Sequence, residues 1–110
     1  MGWKVEFYST KVKDAIKAWP ESLSSKFLKI AERIEKHGPH EIGMPHIKPL
    51  KKGLYEIRAK GLAGIARAPF CIIKGQIVIV LSEFIKKTQE MPLREMELAI
   101  KRMKEVKSNE

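Results

Sequence analysis

Cysteines, long apolar runs and acidic residues are all scarce in this 110-residue chain. Its one cysteine, Cys71, cannot form an internal disulfide, and no cysteine pair stands at metal-ligand spacing. No stretch approaches the roughly 18 apolar residues that a membrane span needs, and the first residues carry no apolar signal core. We therefore expect a protein of the reducing cytoplasm that is neither exported nor inserted into a membrane.

The chain also lacks internal repeats, low-complexity runs and any linker long enough to separate two domains. Hydrophobic residues make up 44% of it and charged residues 32%, which is typical of a globular protein. A chain of this length can bury a working core without a metal or a disulfide. We therefore predict that residues 1–110 form one domain.

Positive charge is abundant, with 22 Lys and Arg against 13 Asp and Glu, a net charge of +9. Residues 48–87 hold nine of these cations against only Glu56 and Glu83, whereas residues 88–110 hold five residues of each sign. Clustered cations gain free energy by releasing counterions from phosphates. A lysine-rich surface that only maintains solubility is the alternative, but the clustering favours a nucleic-acid partner.

Hydrophobic periodicity predicts a strand, two helices, three strands and a last helix, in that order. The predicted elements are a strand at 3–8, a helix from Ser9 or Thr10 to Trp19, a helix from Pro20 to Gly38, strands at 54–60, 65–73 and 76–83, and a helix opened by Pro92. Residues 38–53 are predicted to be irregular, and the tail from Val106 is expected to fray.

Turns at residues 60–64 and at Lys74-Gly75 should join the three later strands into an antiparallel meander. The strand at 76–83 is apolar on both faces, so we place it centrally, with helices covering at least one side of the sheet. The sequence thus predicts an α+β fold with an antiparallel sheet.

Several short sequence motifs, taken in order, carry a family resemblance. They are Gly53-Leu54-Tyr55-Glu56-Ile57-Arg58, Gly64-Ile65-Ala66-Arg67, Phe84-Ile85-Lys86-Lys87-Thr88-Gln89, Pro92 and Glu95. Together they resemble the phage-derived, HigB-like branch of the RelE/ParE toxin superfamily. The resemblance implies a RelE-like α+β domain that enters the ribosome and cuts translated mRNA. It also implies a cognate helix-turn-helix antitoxin that holds the toxin inactive.

Cleavage of RNA without a metal requires the ribose 2′-OH to attack the adjacent phosphate, and preorganised cations stabilise that transition state. Arg58 and Arg67 lie on consecutive predicted strands, where a guanidinium can bind two phosphate oxygens at once. They also stand where the resemblance places strand-borne basic residues. We predict both as transition-state stabilisers. The alternative is that either arginine only pairs with Glu56 or Glu83 on an exposed sheet face.

The end of the last predicted strand supplies two ammonium groups, Lys86 and Lys87. One of them is predicted to stabilise or protonate the leaving 5′ oxygen, and the sequence does not say which. Thr88 and Gln89 can donate hydrogen bonds to the RNA there, although Thr88 can equally cap the turn into the last helix.

Two residues are candidate proton acceptors. Glu56 shares a strand face with Arg58 and can act as general base if its pKa is raised, or it can hold Arg58 in place. His46 lies in a basic connection and can titrate near neutral pH, or it is a solvent-exposed loop residue.

Five further lysines are predicted to position phosphates without choosing a base. They are Lys48, Lys51, Lys52, Lys60 and Lys74. His37, His40 and His46 straddle a helix end and prolines without a cysteine or aspartate companion. We predict neither a metal nor a cofactor.

Three features depart from the family pattern. Pro69 interrupts a predicted strand, which should therefore be bulged or edge-like near residues 68–70. Ser82-Glu83 places the negative charge of Glu83 close to the proposed site. No tyrosine follows Tyr55, so the tyrosine that some superfamily members have near the final helix is missing.

The sequence is best explained as a ribosome-dependent mRNA endonuclease with Arg58, Arg67 and one of Lys86 and Lys87 around the scissile phosphate. A ParE-like toxin that binds gyrase would share the fold, and a nucleic-acid-binding module without nuclease activity is the third interpretation. Cleavage of mRNA in expressing cells separates the first from the other two.

Overall fold

Four helices and six strands make up the part of the chain described by the computed structural model, residues 2–86 and 91–110. In chain order they are β1 (Lys4–Phe7), α1 (Thr10–Lys17), α2 (Glu21–His37), α3 (Pro39–Ile42), β2 (Ile47–Pro49), β3 (Tyr55–Gly61), β4 (Gly64–Ile73), β5 (Ile77–Val80), β6 (Phe84–Lys86) and α4 (Leu93–Ser108). The predicted α+β class is confirmed. In these described segments no helix has both the length and the apolar character to cross a bilayer.

The strands form one mixed sheet in the order β1-β5-β4-β3-β2, with β6 paired to β4 beside that path. The strands β3, β4 and β5 form the predicted antiparallel meander. However, β1 runs parallel to β5, so the prediction of a purely antiparallel sheet is wrong. The period-two pattern of β1 defines a half-buried strand, but it does not specify which strand becomes its neighbour or in which direction.

Two other predicted elements differ from the structure. The connection at 38–53 contains α3 and β2. The predicted strand at 76–83 is formed only as β5, at Ile77–Val80, and a further strand, β6, follows it at Phe84–Lys86. The centre of the sheet is β4, whereas β5 lies between β1 and β4. Both strands pair along the same edge of β4, β6 with residues 65–67 and β5 with residues 70–73.

Pro69 lies at the change from β6 to β5. The register of β4 with β3 continues through it, with Glu56 opposite Pro69 and Tyr55 opposite Phe70. The carbonyl of Pro69 accepts a hydrogen bond from the Leu81 N–H at 2.8 Å, so its backbone faces β5 and not β3. The missing N–H of proline therefore falls where β4 has no continuous partner. The expectation of an edge strand is wrong, because β4 lies at the centre of the sheet. The expected irregularity is present on the side of β5 and β6, where residues 68–69 of β4 face three residues, 81–83.

Helices cover both faces of the sheet. Residues of α1 and α2, among them Val12, Leu23 and Phe27, form the larger core with one face, which we call the α1–α2 face. This face contributes Ile57, Ala59, Ala66, Ala68, Phe70, Val78 and Val80. The apolar stripe predicted for the second helix is thus confirmed as its buried side.

The opposite side of the sheet, the α4 face, packs against Ala99 and Met103 of the last helix. Arg102 donates to the Leu81 carbonyl at 2.7 Å and stacks on the Tyr8 ring at 4.5 Å. The helix continues to Ser108, so the expected fraying from Val106 is wrong. Contacts such as the 2.9 Å hydrogen bond from the Tyr8 hydroxyl to Glu105 hold this end of the helix on the sheet.

Candidate functional site

Three charged side chains meet on the α4 face where β3 pairs with β4. Glu56 and Arg58 are two residues apart on β3 and therefore point to the same face. The β3–β4 register places Arg58 directly opposite Arg67. We call Glu56, Arg58 and Arg67 the charged cluster. The expected approach of the two arginines across the sheet is thus present.

Most of the charged cluster is buried. Glu56 and Arg67 are each 1% exposed, whereas the side chain of Arg58 is 13% exposed. The Arg58 Nε lies 3.4 Å from Glu56 Oε2. Within residues 2–86 and 91–110, neither carboxylate oxygen of Glu56 accepts a hydrogen bond. An anion arriving from solvent would therefore meet Arg58 before it meets the other two groups.

Burial also changes the proton affinity of the charged cluster. It raises the pKa of Glu56 above the ordinary 4.5, although the positive charges of Arg67, Arg58 and Lys48 act in the opposite direction. Burial lowers the pKa of Arg67, and the neighbouring Glu56 opposes that change. A guanidinium nevertheless remains charged in proteins. The raised pKa of Glu56 makes its carboxylate a stronger proton acceptor than an ordinary glutamate, as the role of general base requires.

Two lysines flank the charged cluster on the same face. Lys48 of β2 lies opposite Glu56. On the other side, Phe84 of β6 lies opposite Arg67, and Lys86 follows two residues later. Arg67 and Lys86 are therefore diagonal neighbours on adjacent strands. Their Cα atoms are expected about 7–8 Å apart, within reach of a lysine side chain. Lys87, Thr88 and Gln89 lie outside the described residues.

The charged cluster opens at one side into a groove of about 600 Å³ along the edge of β3. His46 lines this groove with Arg58 and Lys60. The backbone carbonyl of His46 accepts a hydrogen bond from the backbone N–H of Arg58 at 2.8 Å. The side chain of His46 is half-buried. The structure therefore places His46 beside the charged cluster and not in an exposed loop.

The far wall of the groove is formed by Lys26, Lys29 and Arg33 of α2, which are not among the predicted site residues. A signal for them was present, because the spacing i, i+3, i+7 places three cations on one side of a helix. Lys26 donates a hydrogen bond through its Nζ to the backbone carbonyl of Lys60. This bond links α2 to the end of β3.

Residues 14–104 match the model of the phage derived protein Gp49-like family (DUF891). The chain belongs to this Gp49-like family. The matched segment includes the entire charged cluster, and the family is part of the RelE/HigB-like toxin superfamily. No curated protein matches the chain.

Three further lysines of this Gp49-like protein that are predicted to bind RNA lie at the ends of strands. Lys51 and Lys52 occupy the turn between β2 and β3. Lys74 follows the last residue of β4, and its N–H donates to Glu110 Oε2 at 2.8 Å. Seven residues of extended strand separate it from Arg67, a distance of about 23 Å. Lys74 therefore does not share one surface with the charged cluster.

The three histidines of the Gp49-like chain occupy different places. His37 ends α2, His46 lines the groove, and His40 of α3 packs edge-on against Tyr55 with ring centroids 5.6 Å apart. Over residues 2–86 and 91–110, no group of three or more His, Cys, Asp or Glu side chains is arranged to hold a metal ion.

The acidic residue expected close to the site points elsewhere. Glu83 accepts a hydrogen bond at 2.6 Å from the indole N–H of Trp19, which belongs to the core of the α1–α2 face. Ser82 is buried beside it. The negative charge of Glu83 is therefore engaged by Trp19 and is directed away from Arg67.

Proposed function

We propose that this protein is the toxin of a type II toxin–antitoxin pair, of the HigB-like branch, and that it cleaves mRNA on the ribosome without a metal. Membership of the Gp49-like family supports the toxin class. The observation that carries the nuclease assignment is the pairing of Arg58 opposite Arg67, with Glu56 on the same face. Two guanidinium groups and a carboxylate of raised pKa are the groups that metal-independent RNA cleavage needs.

In the proposed reaction the ribose 2′-OH loses its proton and its oxygen attacks the adjacent phosphorus. The bond to the 5′ oxygen breaks, leaving a 2′,3′-cyclic phosphate and, after protonation of the leaving oxygen, a 5′-OH. Arg58 binds the phosphate because it is the most exposed member of the charged cluster. Arg67 adds positive charge behind it, where exclusion of water strengthens its effect.

The proton acceptor in this proposal is Glu56, with His46 as the alternative from the groove side. Lys86 is positioned on the same face as Arg67 and can donate the proton that the leaving 5′ oxygen takes up. Lys87 remains the alternative for that role. No cofactor is required, since each proton transfer and each charge is assigned to a side chain of the chain itself.

A second function is favoured by one observation, the near-complete burial of Glu56 and Arg67. Buried ions of this kind can serve only to hold Arg58 in place. The protein would then bind RNA as a toxin without cutting it. The charged cluster would in that case contribute to positioning and not to chemistry.

Primer extension on cellular mRNA after induced expression tests the proposal. We expect new 5′ ends within translated regions for the wild type and their loss in Arg58→Ala. Lys104→Ala is the matched control, because it removes an exposed cation of α4 that does not line the groove. Growth arrest with intact mRNA would contradict the nuclease assignment and would favour an inhibitor that acts by binding.

The proposed partner is a helix-turn-helix antitoxin whose acidic segment binds the cationic surface around the charged cluster. Co-expression with a helix-turn-helix protein encoded beside this chain should restore growth, and the two should copurify. Copurification that persists after Arg58→Ala, but fails at high salt, would indicate a broader electrostatic interface. No recovery of growth would contradict the pairing.

A further inference from the structure

The groove beside the charged cluster has a strongly one-sided charge. Its lining residues are Lys26, Lys29, Ile30, Arg33, Pro45, His46, Arg58, Ala59, Lys60 and Ile65. Five of them are Lys or Arg and none is acidic. Five cations held around a space of about 600 Å³ repel one another unless an anion is bound between them. The ligand that this groove fits is therefore a polyanion.

The groove exists because β2 is short. It pairs with β3 only at residues 55–57, so residues 58–60 of β3 have no neighbouring strand on that side. The helix α2 lies along this open edge and packs against β3 through Ile30. Ile30, Ala59 and Ile65 line the groove but are nearly buried, so its accessible apolar surface comes from exposed Pro45 and from the aliphatic stems of the lysines and arginines. The site thus combines a cationic wall with apolar surface.

This combination matches a nucleic-acid strand better than a free phosphate. Phosphates pair with the cations, while the ribose and base can pack on apolar side chains. Lys26, Lys29 and Arg33 extend over seven residues of α2, about 10.5 Å of helix. A stacked strand has one phosphate per about 3.4 Å, so this row can neutralise two or three successive phosphates.

Arg58 connects the groove to the charged cluster. Its side chain lines the groove and also pairs with Glu56, 3.4 Å away. A strand whose phosphate is bound by Arg58 can therefore continue directly past Lys60 to the cations of α2. An acidic peptide would also satisfy the charges, but it has no comparable reason to begin at Arg58.

We propose that the groove between α2 and the open edge of β3 binds the single-stranded RNA on one side of the phosphate held by Arg58. The row Lys26, Lys29 and Arg33 contacts the backbone, and the apolar surface packs against a nucleotide. This inference rests on the proposed function for the identity of the ligand. It adds a binding surface on α2 and a path for the strand.

The test is the affinity for a short, fluorescently labelled 2′-O-methyl RNA, which binds but lacks the attacking hydroxyl. The double variant K29A/R33A removes two exposed groove cations, and K11A/K17A removes two exposed cations of α1 as a matched control. We expect K29A/R33A to weaken binding about tenfold at low salt. The slope of log Kd against log salt should decrease by about 1.4, since each phosphate contact contributes about 0.7.

Unchanged affinity and slope in K29A/R33A would overturn the proposal, as would an equal loss in K11A/K17A. A labelled oligoglutamate peptide gives the remaining comparison. If K29A/R33A loses peptide binding but retains RNA binding, the groove binds protein and the RNA assignment is wrong. Both double variants should unfold at the wild-type temperature, because the four substituted side chains are exposed.

The two proposals can fail separately. A wild type that binds this RNA through the groove but leaves natural mRNA intact would contradict the nuclease and retain the groove. A K29A/R33A variant that binds RNA like the wild type, in a protein that cuts mRNA, would contradict the groove and retain the nuclease.

Discussion

The two halves of the α4 face differ in what they bury. In one half Cys71 and Leu81 pack against Met103 of α4, and in the other half the sheet buries Glu56 and Arg67. Removing apolar surface from water stabilises the fold by about 25 cal/mol per Å². Removing charges from water opposes folding unless they are paired. A stable domain does not need the second arrangement, so the difference indicates where function is located.

The central strand β4 contributes to both halves. Arg67 and Cys71 are four residues apart on it, share a face and are both fully buried. Burial raises the pKa of the Cys71 thiol to about 11, so this cysteine stays protonated and unreactive. Burial of Arg67 instead concentrates a positive charge next to Glu56 and Arg58.

The largest effect on stability is expected when one buried charge is removed from the charged cluster. Arg67→Met should lower the free energy of unfolding by about 3–5 kcal/mol, because Glu56 keeps its buried charge and loses a compensating one. Adding Glu56→Leu should restore much of that loss. Urea unfolding measures both values. If Arg67→Met is as stable as the wild type, or if adding Glu56→Leu restores none of the lost stability, the two charges do not compensate each other.

The apolar half provides the matched measurement. Leu81→Ala should cost about 2–5 kcal/mol through lost contacts and a cavity. No second substitution on the α4 face is expected to rescue it in the way that Glu56→Leu rescues Arg67→Met. If the two single variants lose similar free energy of unfolding and only Arg67→Met is rescued by a second substitution, its loss is due to charge compensation, whereas that of Leu81→Ala is due to packing.

The next effect concerns activity. Arg58→Ala should reduce the rate of mRNA cleavage by about 100- to 1000-fold, as expected when one group that stabilises developing charge is removed. Cys71→Ala, in the apolar half, should leave the rate within about twofold, since burial keeps this side chain away from any substrate. Rates on ribosome-bound mRNA, with melting temperatures for both variants, provide the comparison. Equal loss of rate in both variants would assign the effect to stability.

A smaller effect is expected in the pH dependence of stability. The folded pKa of Glu56 is raised above 4.5, so between that value and the folded pKa the folded state binds more protons than the unfolded chain. The free energy of unfolding should therefore fall as pH rises through this window. Glu56→Gln removes this contribution, so its stability relative to wild type should increase from pH 4.5 towards neutrality. Urea unfolding at several pH values checks the trend, and the opposite slope would mean that Glu56 is stabilised as an anion.

Much of the fold follows from local sequence patterns. The strands at 54–60 and 65–73 were predicted within one residue, because alternation and the turn between them are properties of neighbouring residues. The parallel pairing of β1 with β5 depends on residues more than 70 positions apart. Periodicity contains no information about that partner. The central position of Pro69 in the sheet could not be predicted for a similar reason, since it depends on where β5 ends and β6 begins.

For the site as well, features that depend on neighbouring residues can be predicted from the sequence, and features that depend on tertiary packing cannot. A hairpin whose loop is Leu62-Ala63 fixes the register, and that register places Arg58 opposite Arg67. The sequence could not show that Arg67 is buried, because alternation gives the face of a residue and not what covers it. Nor could it bring Arg33 of α2 to the same groove, because the position of a helix on a sheet is set by tertiary packing.

The smallest effect concerns the salt dependence of RNA binding and compares a lysine in the groove with a lysine far from it. Lys60 lines the groove, whereas Lys74 lies about 23 Å of extended strand from Arg67, beside Glu110. Lys60→Ala should lower the salt slope of RNA binding by about 0.7, the share of one phosphate contact, while Lys74→Ala should leave it unchanged. Fluorescence anisotropy with the same short RNA measures both slopes. Equal slopes for the two variants would mean that RNA responds to the total charge of the protein and not to the groove, because only a defined strand path distinguishes lysines of equal charge by their position.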